Sequence, residues 1–149
     1  MEQEIENTIN TMGINKAIEL GTIPHNVKVA LNEFWEWYDM RYAMPIEVTQ
    51  DDAYMTLYIS YDITEEVEAC TKVGVRRAIE EDWYPDLTEE EIEEGIYDAC
   101  REDSINDTID VFSSILRKIW EIFDKHGIKY DWEDSWEGDT KYLRVQIKL

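Results

Sequence analysis

The residues best suited to chemistry in this 149-residue chain are carboxylates. Residues 80–110 hold fourteen Asp and Glu against one base, Arg101, a local charge of −13 out of −21 for the whole chain. Within that run Asp86, Glu90, Glu94, Asp98 and Glu102 recur every four residues, and Glu89, Glu93, Asp103 and Asp107 stand beside them. On a helix, a step of four residues advances about 6 Å along the axis and drifts about 40° around it. The result is a slowly winding row of carboxylates, spaced much like the phosphates of a nucleic-acid strand. Such a row can engage Lys and Arg side chains that otherwise hold phosphate. Solvated helix faces usually mix signs, because Glu–Lys pairs four residues apart stabilise a helix and like charges destabilise it by a few tenths of a kcal/mol. This run does not mix signs. The nine acids are therefore read as a partner-binding site, against the plainer reading of an acidic surface that serves only solubility.

Other chemistry finds little support. His25 stands at a helix start and His126 at a helix end, where a cation suits the dipole, and no Ser, Cys or carboxylate motif surrounds either. The six glycines are scattered and build no phosphate loop, and neither H-E-x-x-H nor C-x-x-C occurs. The segment "DWEDSWEGD", 131–139, superficially suggests a calcium loop. Counted from Asp131, however, Trp136 takes the position that needs Gly and Tyr142 the one that needs Glu, so a polar hairpin loop is expected instead. With 35 acids in the chain, any chosen carboxylate pair is uninformative about hydrolysis. Cys70 and Cys100 lie in similar helical contexts, "VEAC" and "YDAC", and are read as free buried thiols suited to a reducing compartment. No metal, no cofactor and no enzymatic activity are predicted.

Those carboxylates need a folded scaffold, and the composition supplies one. Hydrophobic residues make up 44% of the chain, with six Trp and nine Tyr, which separates it from disordered acidic chains. A net charge of −21 argues against direct contact with nucleic acid or an anionic membrane, since both repel it, and favours basic partners. The start, "MEQEIENTIN", is acidic without an apolar core, and no apolar run reaches the length of a membrane span, so a cytoplasmic protein is expected.

The periodicities predict an α+β fold of about five helices with a small antiparallel sheet made of two hairpins. A helix is expected over 2–20, a second from Pro24 to about 40, a third over 64–82, a fourth from Thr88 and a fifth over 104–126. Asp62 or Thr64 is read as the cap of the third. Thr88 and Glu91 form a capping box, and Gly127 with Ile128 forms a Schellman end. "PIEVTQ" with "AYMTLYISY", and "IKYDW" with "TKYLRVQIKL", alternate as strands do. Leu31, Phe34, Trp35, Tyr38 and Asp39 echo Leu116, Ile119, Trp120, Phe123 and Asp124 at constant offset. The chain thus reads as one acidic domain over 1–149 with a duplicated helix–strand–strand unit, about 26–62 and 108–149, and a helical insert at 64–107. Trp83 is expected in the core, with Tyr84 and Tyr97 open between core and binding anchor.

In composition and in its carboxylate row the chain resembles the DNA-mimic inhibitors that phages and mobile elements direct against restriction enzymes and CRISPR nucleases. That resemblance implies an acidic protein that occupies the cationic groove of a basic nucleic-acid-binding protein. The alternatives are an immunity protein or antitoxin for a basic toxin, a small carboxylate-based metal-dependent enzyme, and an accessory protein whose acidity serves solubility. Oligomeric state is open, a dimer among the options.

Overall fold

The computed structural model describes residues 23–149. The element order is α1 (His25–Asp39), β1 (Ile46–Gln50), β2 (Tyr54–Asp62), α2 (Thr64–Glu80), α3 (Glu89–Lys125), β3 (Tyr130–Glu137) and β4 (Thr140–Lys148). The four strands form one antiparallel sheet in the order β1-β2-β4-β3, an α+β arrangement.

Alternation sets the sheet. Met55, Leu57 and Ile59 of β2 stand opposite Ile147, Val145 and Leu143 of β4, and all six are buried on one face. Ile46 and Val48 of β1 extend that face. Against it pack Val27, Leu31, Phe34 and Tyr38 of α1, and Phe112, Ile115, Ile119 and Phe123 of α3. Each set recurs at helical spacing, so each helix presents a continuous apolar stripe. Tyr38 is buried to 1% exposure and donates its hydroxyl to the Met44 carbonyl at 2.8 Å, which satisfies the one polar atom that its ring carries into the core. The first hairpin closes on Asp51, whose carboxylate accepts from the Ala53 and Tyr54 amides at 2.8 and 2.7 Å.

About five helices were expected; among the described residues there are three. The helix expected over 2–20 lies outside the described residues. The fourth and fifth are one continuous α3 of 37 residues, about 55 Å long at 1.5 Å per residue. The polar stretch "SINDT", 104–108, looks like a break but contains neither Gly nor Pro. Thr108 instead returns its hydroxyl to the Ser104 carbonyl at 2.7 Å, and the helix runs on. The predicted ends of α3 are present. Thr88 and Glu91 form a reciprocal capping box. At the far end Gly127 at φ +68° and Ile128 return their amides to Asp124 and Phe123, the Schellman pattern. The start of α2 is held by Asp62, whose carboxylate accepts from the Thr64 amide and hydroxyl; these bonds hold its carboxyl below the ordinary range.

Two further expectations are corrected. The segment 131–139 is not a loop: through Glu137 it is the edge strand β3. Its charges have partners across the pair, Glu133 with Arg144 at 3.1 Å and Asp134 with Lys141, and Lys141 lies 5.5 Å over the Trp136 ring. An acidic edge also blunts pairing with foreign strands. Cys70 and Cys100 are not free thiols; they form a disulfide between α2 and α3, with Cα atoms 6.1 Å apart. Their thirty-residue separation hid a closeness that the antiparallel helix pair creates.

Beside that bond the helices approach closely. A Cβ added at Gly74 of α2 would stand 2.7 Å from Cγ2 of Ile96. That methyl sits on a branched carbon and cannot swing aside. Gly74→Ala should therefore lower stability, although in an open helix alanine gains about 1 kcal/mol over glycine; a chemical denaturation midpoint reads the sign. The C-terminal ends of α2 and α3 make a second test. Both use the Schellman hydrogen bonds, but α2 places Asp82 at φ +51° where α3 has Gly127. Asp82→Gly should raise stability and Gly127→Ala should lower it, each by about 1 kcal/mol, in the same measurement.

Candidate functional site

The acids of the 80–110 run are carried on an arm made of α2, the turn after it and the N-terminal half of α3. Ile63, Val67 and Cys100 form a small buried cluster there, with Ile96, Ile105 and Trp136 packed against it. Ile92 and Ala78 are buried farther along the pair, on the far side of the disulfide. The turn 81–88 is ordered by its own backbone, with the Trp83 amide bonded to the Ala78 carbonyl at 3.0 Å and the Leu87 amide to Tyr84 at 3.2 Å.

All nine predicted site residues are exposed, but they do not form one face. At 100° per residue, Glu90, Glu94, Asp98 and Glu102 centre roughly 180° from the Ile92–Ile96–Cys100 stripe that docks on α2. These four make the outer row. Glu89 and Glu93 turn inward to a cleft against α2, where Lys72 and Arg76 stand on the other wall. Asp86 belongs to the turn before α3. Asp103 lies on the docking side of the helix, and Asp107 lines a separate cavity of about 330 Å³ at the foot of the arm.

Among the described residues, none of the nine takes part in an ion pair. The one base in the run points elsewhere. Arg101 donates through Nε and Nη2 to Oδ1 of Asp139, at 3.1 and 3.0 Å, in the β3–β4 turn. The amide of Ile63, at the root of α2, bonds to the carbonyl of that same Asp139 at 3.0 Å. Asp139 thus joins both helices of the arm to the sheet, and the one base within the 80–110 run is used there. The outer row is left uniformly anionic.

The cavity at the foot of the arm has Tyr42, Met44 and Phe112 as apolar wall and Glu66, Ser104 and Asp107 as polar wall. Tyr61 donates its hydroxyl to Glu66 at 2.9 Å, and that bond, with some burial, holds the phenol above its ordinary range. The histidines lie away from the arm. His25 is exposed at the start of α1, and His126 at the end of α3 has Nε2 3.5 Å from Glu33. Lys125, hydrogen-bonded to the same Glu33, is the main cause of its lowered carboxyl pKa. Among the described residues, no three His, Cys, Asp or Glu side chains converge as a metal-ligand set, and no helix is long and apolar enough to cross a membrane.

The expectation that Trp83 is a core residue is corrected: it is 49% exposed, and Tyr84 and Leu87 beside it are 46% and 44% exposed. Sequence reasoning also missed the Arg101–Asp139 clamp. The signal for it was present, since Arg101 is the only base in the run.

An outer row of like charges costs the helix free energy. Its three successive pairs at four-residue spacing destabilise α3 by about 1 kcal/mol together. Replacing Glu94, Asp98 and Glu102 with Gln, Asn and Gln removes all three pairs and leaves Glu90 in the first turn, where the helix dipole favours it, so the change should raise stability by about that amount at low salt. The gain should shrink when salt screens the wild-type repulsion. Paired denaturation curves at two ionic strengths read it. No protein-family model matches the chain, and no curated protein or solved structure shows significant similarity to it.

Proposed function

We propose that the arm is a docking surface for a basic nucleic-acid-binding protein, and that the chain acts as a DNA mimic occupying the groove of a defence nuclease of the restriction or CRISPR kind. The observation that carries this reading is the outer row. Four exposed carboxylates without ion-pair partners among the described residues stand one helical turn apart on a helix capped at both ends, and the one base within the 80–110 run is bonded to Asp139. Helix repulsion opposes such a row, and a basic partner seated on it would offset that cost. Competition is the mechanism: carboxylates take the Lys and Arg side chains that would hold phosphates, and no bond is made or broken. Encounter is steered by charge and therefore salt-sensitive. A cytoplasmic site of action goes with such partners. Disulfides are seldom maintained in that compartment, so Cys70–Cys100 would there face reducing thiols.

The test is competition with duplex DNA. A panel of purified restriction enzymes and CRISPR nucleases is assayed for DNA binding with and without the chain. At least one should lose DNA in proportion to added protein at low salt. The variant neutral at Glu90, Glu94, Asp98 and Glu102 should need at least about tenfold more protein for the same effect, the loss of roughly 1.4 kcal/mol. Equal potency of the neutral variant would overturn the reading. A tight partner that releases the chain no faster when DNA is added would favour the immunity-protein alternative.

A further inference from the structure

The turn at the end of the arm has a property that a pure charge mimic does not need. Ile79, Trp83, Tyr84 and Leu87 lie within nine residues and each is 44–49% exposed. Single exposed apolar residues are ordinary, but four so close together form a patch. Among the described residues neither Trp83 nor Tyr84 stacks on another ring or under a cation. The patch is held in place by the Trp83–Ala78 and Leu87–Tyr84 backbone bonds. It is held partly by Asp82 in a left-handed conformation that glycine would take at lower cost. Glu80, Glu81, Asp82, Asp86, Glu89 and Glu90 surround it in sequence, and the outer row begins at Glu90.

We propose that Trp83, Tyr84 and Leu87 are an apolar anchor that seats on an apolar patch ringed by Lys and Arg on the polypeptide partner. This rests on the docking reading above and specifies the partner's surface: basic side chains along a groove, with an uncharged depression at its end. Charge complementarity selects that occupant. A second copy of a chain carrying −21, an anionic bilayer and a bare nucleic acid are all repelled by the acids around the patch. Trp and Tyr are the side chains that most often dominate binding energy when a polar rim excludes water around them, and the acids supply such a rim. The row would set the rate and salt dependence of encounter, and the anchor the part of affinity that salt does not remove.

The experiment uses the full chain and two defined probes: poly-L-lysine, which offers charge alone, and an amphipathic Lys/Leu helical peptide, which offers charge around an apolar stripe. Affinities are measured for the wild type, for a tip variant (Trp83→Ala, Tyr84→Ala, Leu87→Ala) and for the variant neutral at the row. All the substituted residues are exposed, and circular dichroism confirms that each variant is folded. The wild type and the tip variant should bind poly-lysine equally, and both should lose it between about 50 and about 500 mM salt, where the Debye length falls below the charge spacing. The wild type should keep the amphipathic peptide at the higher salt, and the tip variant should bind it at least about thirtyfold more weakly. Equal peptide affinity of wild type and tip variant at both salts overturns the anchor. Tip-dependent self-association in sedimentation, or tip-dependent binding to zwitterionic vesicles tighter than to the peptide, overturns the choice of partner. Unchanged poly-lysine binding by the row variant counts against the docking reading alone, because the peptide comparison reads the anchor independently.

Discussion

The structure depends on one helix serving two cores. At 100° per residue, the buried stripe in the first half of α3 (Ile92, Ile96, Cys100) points roughly 140° away from the stripe in its second half (Phe112, Ile115, Ile119, Phe123). The second half lies on the sheet. The first half, with its stripe rotated, cannot continue across the same face and needs α2 as a partner. That is why the hairpins form a layered body while the insert between them becomes an arm. The body has an extensive core built from two helices and three strands, with Tyr130 of β3 packed at its edge; the arm cluster contains only three buried residues, Ile63, Val67 and Cys100. So small a core leaves the arm dependent on other devices: the close approach at Gly74, the shared anchor at Asp139, and the disulfide. In the chain-entropy account, closing a loop of that length contributes about 3–4 kcal/mol by restricting the unfolded chain.

Charge follows the same division. In the body, acids and bases are mixed and used locally: Glu33 with Lys125, Glu133 with Arg144, Asp134 with Lys141, Lys118 with Glu121. Most of these pairs are exposed and worth little individually. Their effect is to leave the body with a patchwork potential, whereas the outer row of the arm carries one sign; Lys72 and Arg76 of α2 line the cleft instead. The Arg101–Asp139 pair marks the boundary, a contact between the single base of the acidic run and the turn that ties the arm to the sheet. Pairing that base with Asp139 and fixing the arm's attachment are the same interaction.

Much of this was legible in the residues, and the misses have physical causes. Both hairpins, the capping box at Thr88 and the Schellman end at Gly127 depend on local chemistry, which sequence carries directly. The continuity of α3 was missed because its stripe changes direction, so each half reads as a separate amphipathic helix joined by the polar residues Ser104, Asn106 and Asp107. β3 was read short because Asp, Glu and Ser at alternate positions resemble a loop until Arg144 and Lys141 of the neighbouring strand are seen to balance them. The disulfide and the exposure of Trp83 are tertiary facts: each depends on where α2 lies against α3, which periodicity does not specify. The carboxylate row was legible as spacing. Its division into an outer row, a cleft pair at Glu89 and Glu93, and the separate Asp107 needed the partner helix.

Rigidity is what distinguishes this acidic surface from an acidic tail. A disordered run of the same composition would lose about 1–2 kcal/mol of backbone entropy for every residue ordered on binding, and its charges would adopt the spacing dictated by the partner. Here the capping box, the close packing on α2 at Gly74 and the Asp139 anchor fix the backbone in advance of any contact with the proposed partner. What remains to be overcome is side-chain ordering and desolvation of the carboxylates, costs that fall with good pairing. A surface of this kind loses specificity if its spacing is changed, because α3 cannot stretch to fit. The internal strain it carries, like charges along Glu90–Glu102 and a non-glycine residue at Asp82, lies entirely in the arm and not in the sheet. Strain placed in the part that the proposed partner would touch, and not in the sheet, is the pattern expected of a protein whose stability and recognition reside in different elements.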